Sequence, residues 1–155
     1  MDYTYKKMLI KGALSGKDIF FANSGSECAV SALSSIISLA TESLIILCHK
    51  LSAKVYGNFD VVEALRKATN RNPQLKIHVF LRDKQADITP FLTLLKLKNA
   101  TIEYNFKTPS QTGDLCVGDY KNYRYETDDK TKCADIRFNN PEEARRILSS
   151  LEMHI

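Results

Sequence analysis

Apolar residues along the chain recur with two spacings, every second position and every third or fourth, and the switch between them predicts the elements. Lys17 to Ala22 (KDIFFA) reads as a first strand. Ser24 to Glu27 has the S-x-x-E spacing of a capping box, in which hydroxyl and carboxylate satisfy free amides at a helix start. Behind it Val30, Leu33, Ile36, Ile37 and Ala40 share one helical face. Ser43 to Cys48 (SLIILC) shows no alternation, which predicts a central strand covered on both faces.

Asn58 and Asp60 cap a second helix with Val61, Leu65 and Ala68 on its inner side, stopped by Asn70, Asn72 and Pro73. Leu75 to Leu81 alternates cleanly: Leu75, Ile77, Val79 and Leu81 fall on one side, Lys76, His78 and Phe80 on the other. Thr89-Pro90 starts a third helix through FLTLLKLK, since proline at the first helical position lacks only an amide that had no partner. Ile102, Tyr104 and Phe106 alternate as a further strand. After a polar loop from Lys107 to Gly113 with Pro109, Leu115–Val117 and Asn122–Thr127 form a hairpin around Gly118-Asp119-Tyr120-Lys121. A turn at Asp128-Asp129-Lys130 leads to a strand over Cys133–Phe138. Asn140, Pro141 and Glu143 then supply cap, first-turn proline and capping-box glutamate for a last helix with Ala144, Ile147, Leu148 and Leu151 inward. Residues from Asp2 to Leu14 read as an amphipathic helix or arm, with Tyr3, Tyr5, Met8 and Leu9 available for docking.

The first half alternates strand and helix, which demands crossover helices and a mainly parallel sheet; the second half adds antiparallel hairpin strands. The expected fold is α/β, a mixed, mainly parallel central sheet with helices on both faces, in one domain over residues 1–155.

Composition narrows the class. At 155 residues, 44% hydrophobic and 26% charged, the chain suits a folded domain rather than a disordered one. It has no apolar run of the ~18 residues a membrane span needs, and no secretory signal is expected. Cys28, Cys48, Cys116 and Cys133 stand singly, and with His49, His78 and His154 they form no metal-ligand spacing. The expectation is a reduced, cytoplasmic protein without metal or cofactor. Net charge is only +4, yet residues 50 to 84 hold eight basic residues (Lys50, Lys54, Arg66, Lys67, Arg71, Lys76, Arg82, Lys84) against Asp60, Glu63 and Asp83. That middle third is either an ordinary solvated surface or a positive face for phosphates. Gly12, Gly16 and Lys17 fall short of a phosphate-binding loop, having three residues between the glycines instead of four.

Several segments carry a family pattern. These are DVVEALRKA (60–68), LKIHVFL (75–81), DLCVGDYKNYRYE (114–126) and ADIRFNNPEEARRIL (134–148). In this order they resemble one half of the phospholipase D-like superfamily over about residues 17–152. The resemblance implies the mixed α/β fold and a catalytic signature H-x-K-x4-D, whose histidine attacks a phosphodiester and whose lysine holds the phosphate. With Asp119 at the aspartate position, the histidine position falls on Thr112 and the lysine position on Asp114. Threonine here has no evident paired base, and a carboxylate repels the phosphate that lysine would hold. Cys48-His49-Lys50 does not restore the motif, because no aspartate follows Lys50 by five positions.

The expected function is therefore that of a non-catalytic binding domain. Family members pair two such halves, which implies self-association as a dimer, with a phosphate-bearing or protein partner besides. His49, Lys50 and Lys54 lie just past a strand end, where open α/β sheets place ligands. Asp119, Tyr120, Lys121, Tyr123 and Arg124 form an aromatic-basic hairpin expected beside them. Two alternatives stay open: a divergent phosphodiesterase or nuclease using His49 and Lys50, and a nucleic-acid-binding module driven by the basic middle third. His78 reads as a sheet histidine, and His154 carries no further information.

Overall fold

A computed structural model of the chain describes residues 3–83, 89–108, 112–128, 133–151 and 153. Asp2, Lys84, Pro109, Asp129, Lys130 and His154, all named above, lie outside them. The elements run α1 (Tyr3–Leu14), β1 (Ile19–Asn23), α2 (Ser26–Leu39), β2 (Ser43–Cys48), α3 (Phe59–Arg71), β3 (Lys76–Leu81), α4 (Pro90–Leu97), β4 (Thr101–Glu103), β5 (Leu115–Gly118), β6 (Asn122–Asp128), β7 (Cys133–Phe138) and α5 (Pro141–Ser150).

The seven strands form a single mixed sheet in the order β1-β7-β6-β5-β2-β3-β4. All six residues of β2 are buried, as its unbroken apolar run requires. Parallel pairing is confined to β2-β3 and β3-β4. The other four neighbour pairs are antiparallel, so the expected mainly parallel balance is corrected. The cause is β1: it does not lie beside β2 but crosses to the far edge and pairs with β7.

Side-chain alternation divides the core between two faces. Leu44, Ile46, Cys48, Val79 and Leu81 pack with residues of α1, α2, α3 and α4 on one face. Ile45, Leu47, Phe80, Leu115, Val117 and Tyr123 pack under α5 on the other. Helices thus cover both faces. Tyr5 of α1 meets Phe21, which meets Phe138, in two edge-to-face contacts that dock the first helix against the far strands.

The caps at Asn58, Thr89 and Asn140 form as their sequence contexts predict. The Ser24 capping box does not. Gly25 is the N-cap of α2, with φ 89° and no side-chain cap bond, so Ser24 sits one residue too early. The Asn140 box is half made: Asn140 Oδ1 accepts from Glu143 N, while the Glu143 carboxylate turns to Arg146. The strand expected to run through Tyr104 and Phe106 ends at Glu103. Asn105 takes a positive φ of 57°, and Phe106 N then donates to Leu81 O.

Candidate functional site

The site is built where β2 and β3 end. Past Cys48 the parallel ladder continues for one step: Arg82 N donates to Cys48 O and Asp83 N to His49 O. On the other side of β2, Leu47 is the register partner of Leu115, which puts Asp114 next to His49. His49 N donates to Asp114 Oδ1 at 3.4 Å, and Glu126 N donates to Asp114 O at 2.9 Å. Four strand ends therefore bring His49, Arg82, Asp114 and Glu126 together. The first turns of α2, α3 and α4 open toward this same end, because each helix returns the chain to the start of the next parallel strand.

Arg82 organises the rim. Its Nη1 lies 2.7 Å from His49 Nε2 and its Nη2 donates to Gly113 O at 3.1 Å. A guanidinium only donates, so Nε2 of His49 is the acceptor in this contact. Gly113 is required for the approach of the chain: a Cβ there would lie 2.4 Å from Glu126 O.

Behind the rim the site is filled. Arg124 Nη1 and Glu126 Oε1 form an ion pair at 3.1 Å with side chains only 4% and 3% exposed. Both project from β6 under α2, into a crevice also lined by Ala29, Leu33, Ser52, Tyr56 and Asp114. Its free volume is only 10 Å³, about the space of one water and too little for any larger ligand. Burial pushes the Cys48 thiol and the Tyr56 hydroxyl well up, with Asp114 adding to the shift at both. Burial also pushes Cys116 up to about 12. These groups stay protonated at neutral pH and supply no anionic nucleophile.

The residues expected to form the binding face separate. His49, Lys50 and Lys54 are exposed at the strand-end region. Asp119, Tyr120 and Lys121 lie at the opposite end of the sheet, beside the start of β2, because β5 runs antiparallel to it. The hairpin turn is therefore not beside His49. Tyr123 and Arg124 are each 3% exposed; the first is packed under α5 and the second belongs to the buried pair. Asp119 performs a structural task. Its carboxylate accepts from the backbone amides of Thr41, Glu42 and Ser43 at 2.8–3.1 Å, clasping the turn before β2. Thr112, where the resemblance would place a histidine, is buried at 8% exposure.

Arg82 and Glu126 are the members sequence reasoning missed. Arg82 follows its strand as His49 follows the neighbouring one, and Arg124 and Glu126 share one side of an alternating segment. The second signal is masked by Tyr125, which stands between the two charged residues. Among the described residues, no three histidine, cysteine, aspartate or glutamate side chains group to hold a metal ion, and no helix is long and apolar enough to cross a membrane.

The fold is phospholipase D-like. Among solved structures the chain is similar to NucT from Helicobacter pylori, with TM-score 0.58 and 13% identity over 88% of this chain and 94% of that one. It is similar to TrmBL2, an archaeal chromatin protein described with a novel mode of DNA binding, with TM-score 0.57 and 9% identity over 86% of this chain and 49% of that one. It is also similar to polyphosphate kinase from Porphyromonas gingivalis, with TM-score 0.51 and 15% identity over 86% of this chain and 24% of that one. No curated protein matches the sequence. The family model described as a domain of unknown function (DUF7931) matches residues 25–151, and the chain belongs to that family.

Proposed function

We propose that the chain is a non-catalytic phospholipase D-like binding domain, which self-associates and meets a phosphate-bearing or protein partner at the rim formed by His49, Lys50, Lys54 and Arg82. One observation carries this reading. Where the superfamily signature calls for an imidazole and an ammonium, the chain has buried Thr112 and the carboxylate of Asp114, and the crevice behind them is closed by the Arg124–Glu126 pair. Hydrolysis needs an accessible nucleophile in line with the phosphorus, and 10 Å³ admits no phosphodiester. The rim, by contrast, exposes His49, Lys50 and Lys54, with Arg82 against His49 and Asp83 next in the chain. Self-association rests on the implied pairing of family halves.

The test is a fluorescent phosphodiester assay with and without divalent metal, beside sedimentation of the same sample. The expected result is no turnover above blank and a dimer. Turnover abolished by His49→Ala would establish the divergent phosphodiesterase instead.

A second reading, nucleic-acid binding, is favoured by a separate observation: Arg66 and Lys67 are exposed side by side on α3, although Arg66 also pairs with Glu63. The DNA binding described for TrmBL2 points the same way. On this reading affinity for DNA falls steeply with salt, and Arg66→Glu with Lys67→Glu removes most of it in fluorescence anisotropy.

A further inference from the structure

The sheet has a second opening at the end opposite the rim. The register aligns Ser43 with Lys76, and Ile45 with His78 and then Thr101, so these side chains form rows on the face that α5 covers only in part. Ile45 is the last of them to reach the core under α5. Beyond it the face lies open as a cleft of 620 Å³, walled by Tyr120 of the hairpin turn on one side and by Lys98 on the other. This volume lies within the range of small-molecule sites.

The floor is chemically specific. Ser43 is 7% exposed, and among the described residues its Oγ has no hydrogen-bond partner. A buried, unsatisfied hydroxyl costs stability, and rotation of the Ser43 side chain toward the cleft would let a ligand oxygen satisfy it. Lys76 is exposed on the same face, in register with Ser43. Lys98 commits one hydrogen to Asn70 Oδ1 at 3.0 Å and retains two. His78 is held in place by Glu103 at 3.3 Å and by stacking on Phe80 at 4.2 Å. Tyr120 takes an uncommon positive φ of 56° in the turn that brings it to the wall. Glu42 is the acidic residue lining the cleft.

We propose that this cleft is a binding site, separate from the rim, for a phosphorylated sugar or nucleotide. The phosphate sits between Lys76 and Lys98, and the sugar hydroxyls meet Ser43 and Thr101. A base, where present, lies against Tyr120. The proposal does not rest on the function assigned to the rim.

Calorimetry of the whole chain with AMP, ribose 5-phosphate and inorganic phosphate tests it. Ribose 5-phosphate binds more tightly than inorganic phosphate. AMP binds equally well if the sugar phosphate alone is read, and more tightly if Tyr120 contacts the base; either supports the site. Lys76→Glu with Lys98→Glu weakens AMP by about tenfold or more, while Lys7→Glu on α1 leaves it unchanged. Ser43→Ala weakens AMP without lowering Tm, since it deletes a group that is unsatisfied in the unliganded protein. The proposal is overturned if neither organic phosphate binds below about 5 mM. It also fails if inorganic phosphate binds as well as ribose 5-phosphate, if the double variant keeps its affinity, or if Lys7→Glu weakens AMP as much as the double variant does.

Discussion

At the scale of single residues, the Arg124–Glu126 pair takes two charges out of water together. Removing one partner takes an ion-pair contact from a buried charge, although Glu126 keeps the Asp114 amide at 3.3 Å. Arg124→Met is expected to lose about 3–5 kcal/mol in chemical denaturation, whereas Arg124→Met with Glu126→Leu recovers much of that loss. Equal destabilisation by the single and double variants would show that the pair is not what holds the crevice shut. Glu143 offers a gentler case. The Arg146 guanidinium hydrogen-bonded to it holds its carboxyl below the usual range. A depressed folded value stabilises the fold above the ordinary carboxylate range and ceases to do so as pH falls through the lowered value. Arg146→Ala is expected to return the Glu143 titration toward its ordinary value in a carbon-detected NMR titration. Any stability loss appears above that pH window and stays small, since the pair is solvent-screened.

At the scale of elements, the hairpin between β5 and β6 shows both the reach and the limit of reading the chain. The turn at Gly118-Asp119-Tyr120-Lys121 was legible from its residues, and Lys121 N does donate to Gly118 O. The task of Asp119 was not, since it depends on three amides 76–78 positions away. Asp119→Ala is expected to destabilise the domain by about 2–3 kcal/mol and to leave binding at the His49 rim intact; a loss of rim binding at unchanged stability would contradict the clasp. The same limit applies to Arg82 and Glu126. Each stands at a strand end that local pattern locates well, but only the sheet order brings those ends together. Element existence follows from local periodicity, while the site follows from which strands become neighbours.

At the scale of the whole molecule, the parallel half is legible in the sequence because β2, β3 and β4 are joined by helices that enforce crossover. The remaining balance is not legible locally, because nothing in the neighbouring residues says that β1 must travel to the opposite edge. Its register runs from Ile19 against Phe138 to Asn23 against Ala134, so the first strand of the sheet closes onto the last one made. During synthesis β1 has its pairing edge idle until β7, about a hundred residues further along the chain, leaves the ribosome. A chain stopped before Cys133 should therefore expose Phe20 and Phe21 to limited proteolysis with chymotrypsin, where the full chain resists; equal protection in both would mean that α1 alone holds β1. Order of birth and order of pairing run opposite ways, so the β1 edge of the sheet is completed only once β7 has emerged, after the parallel half is already made.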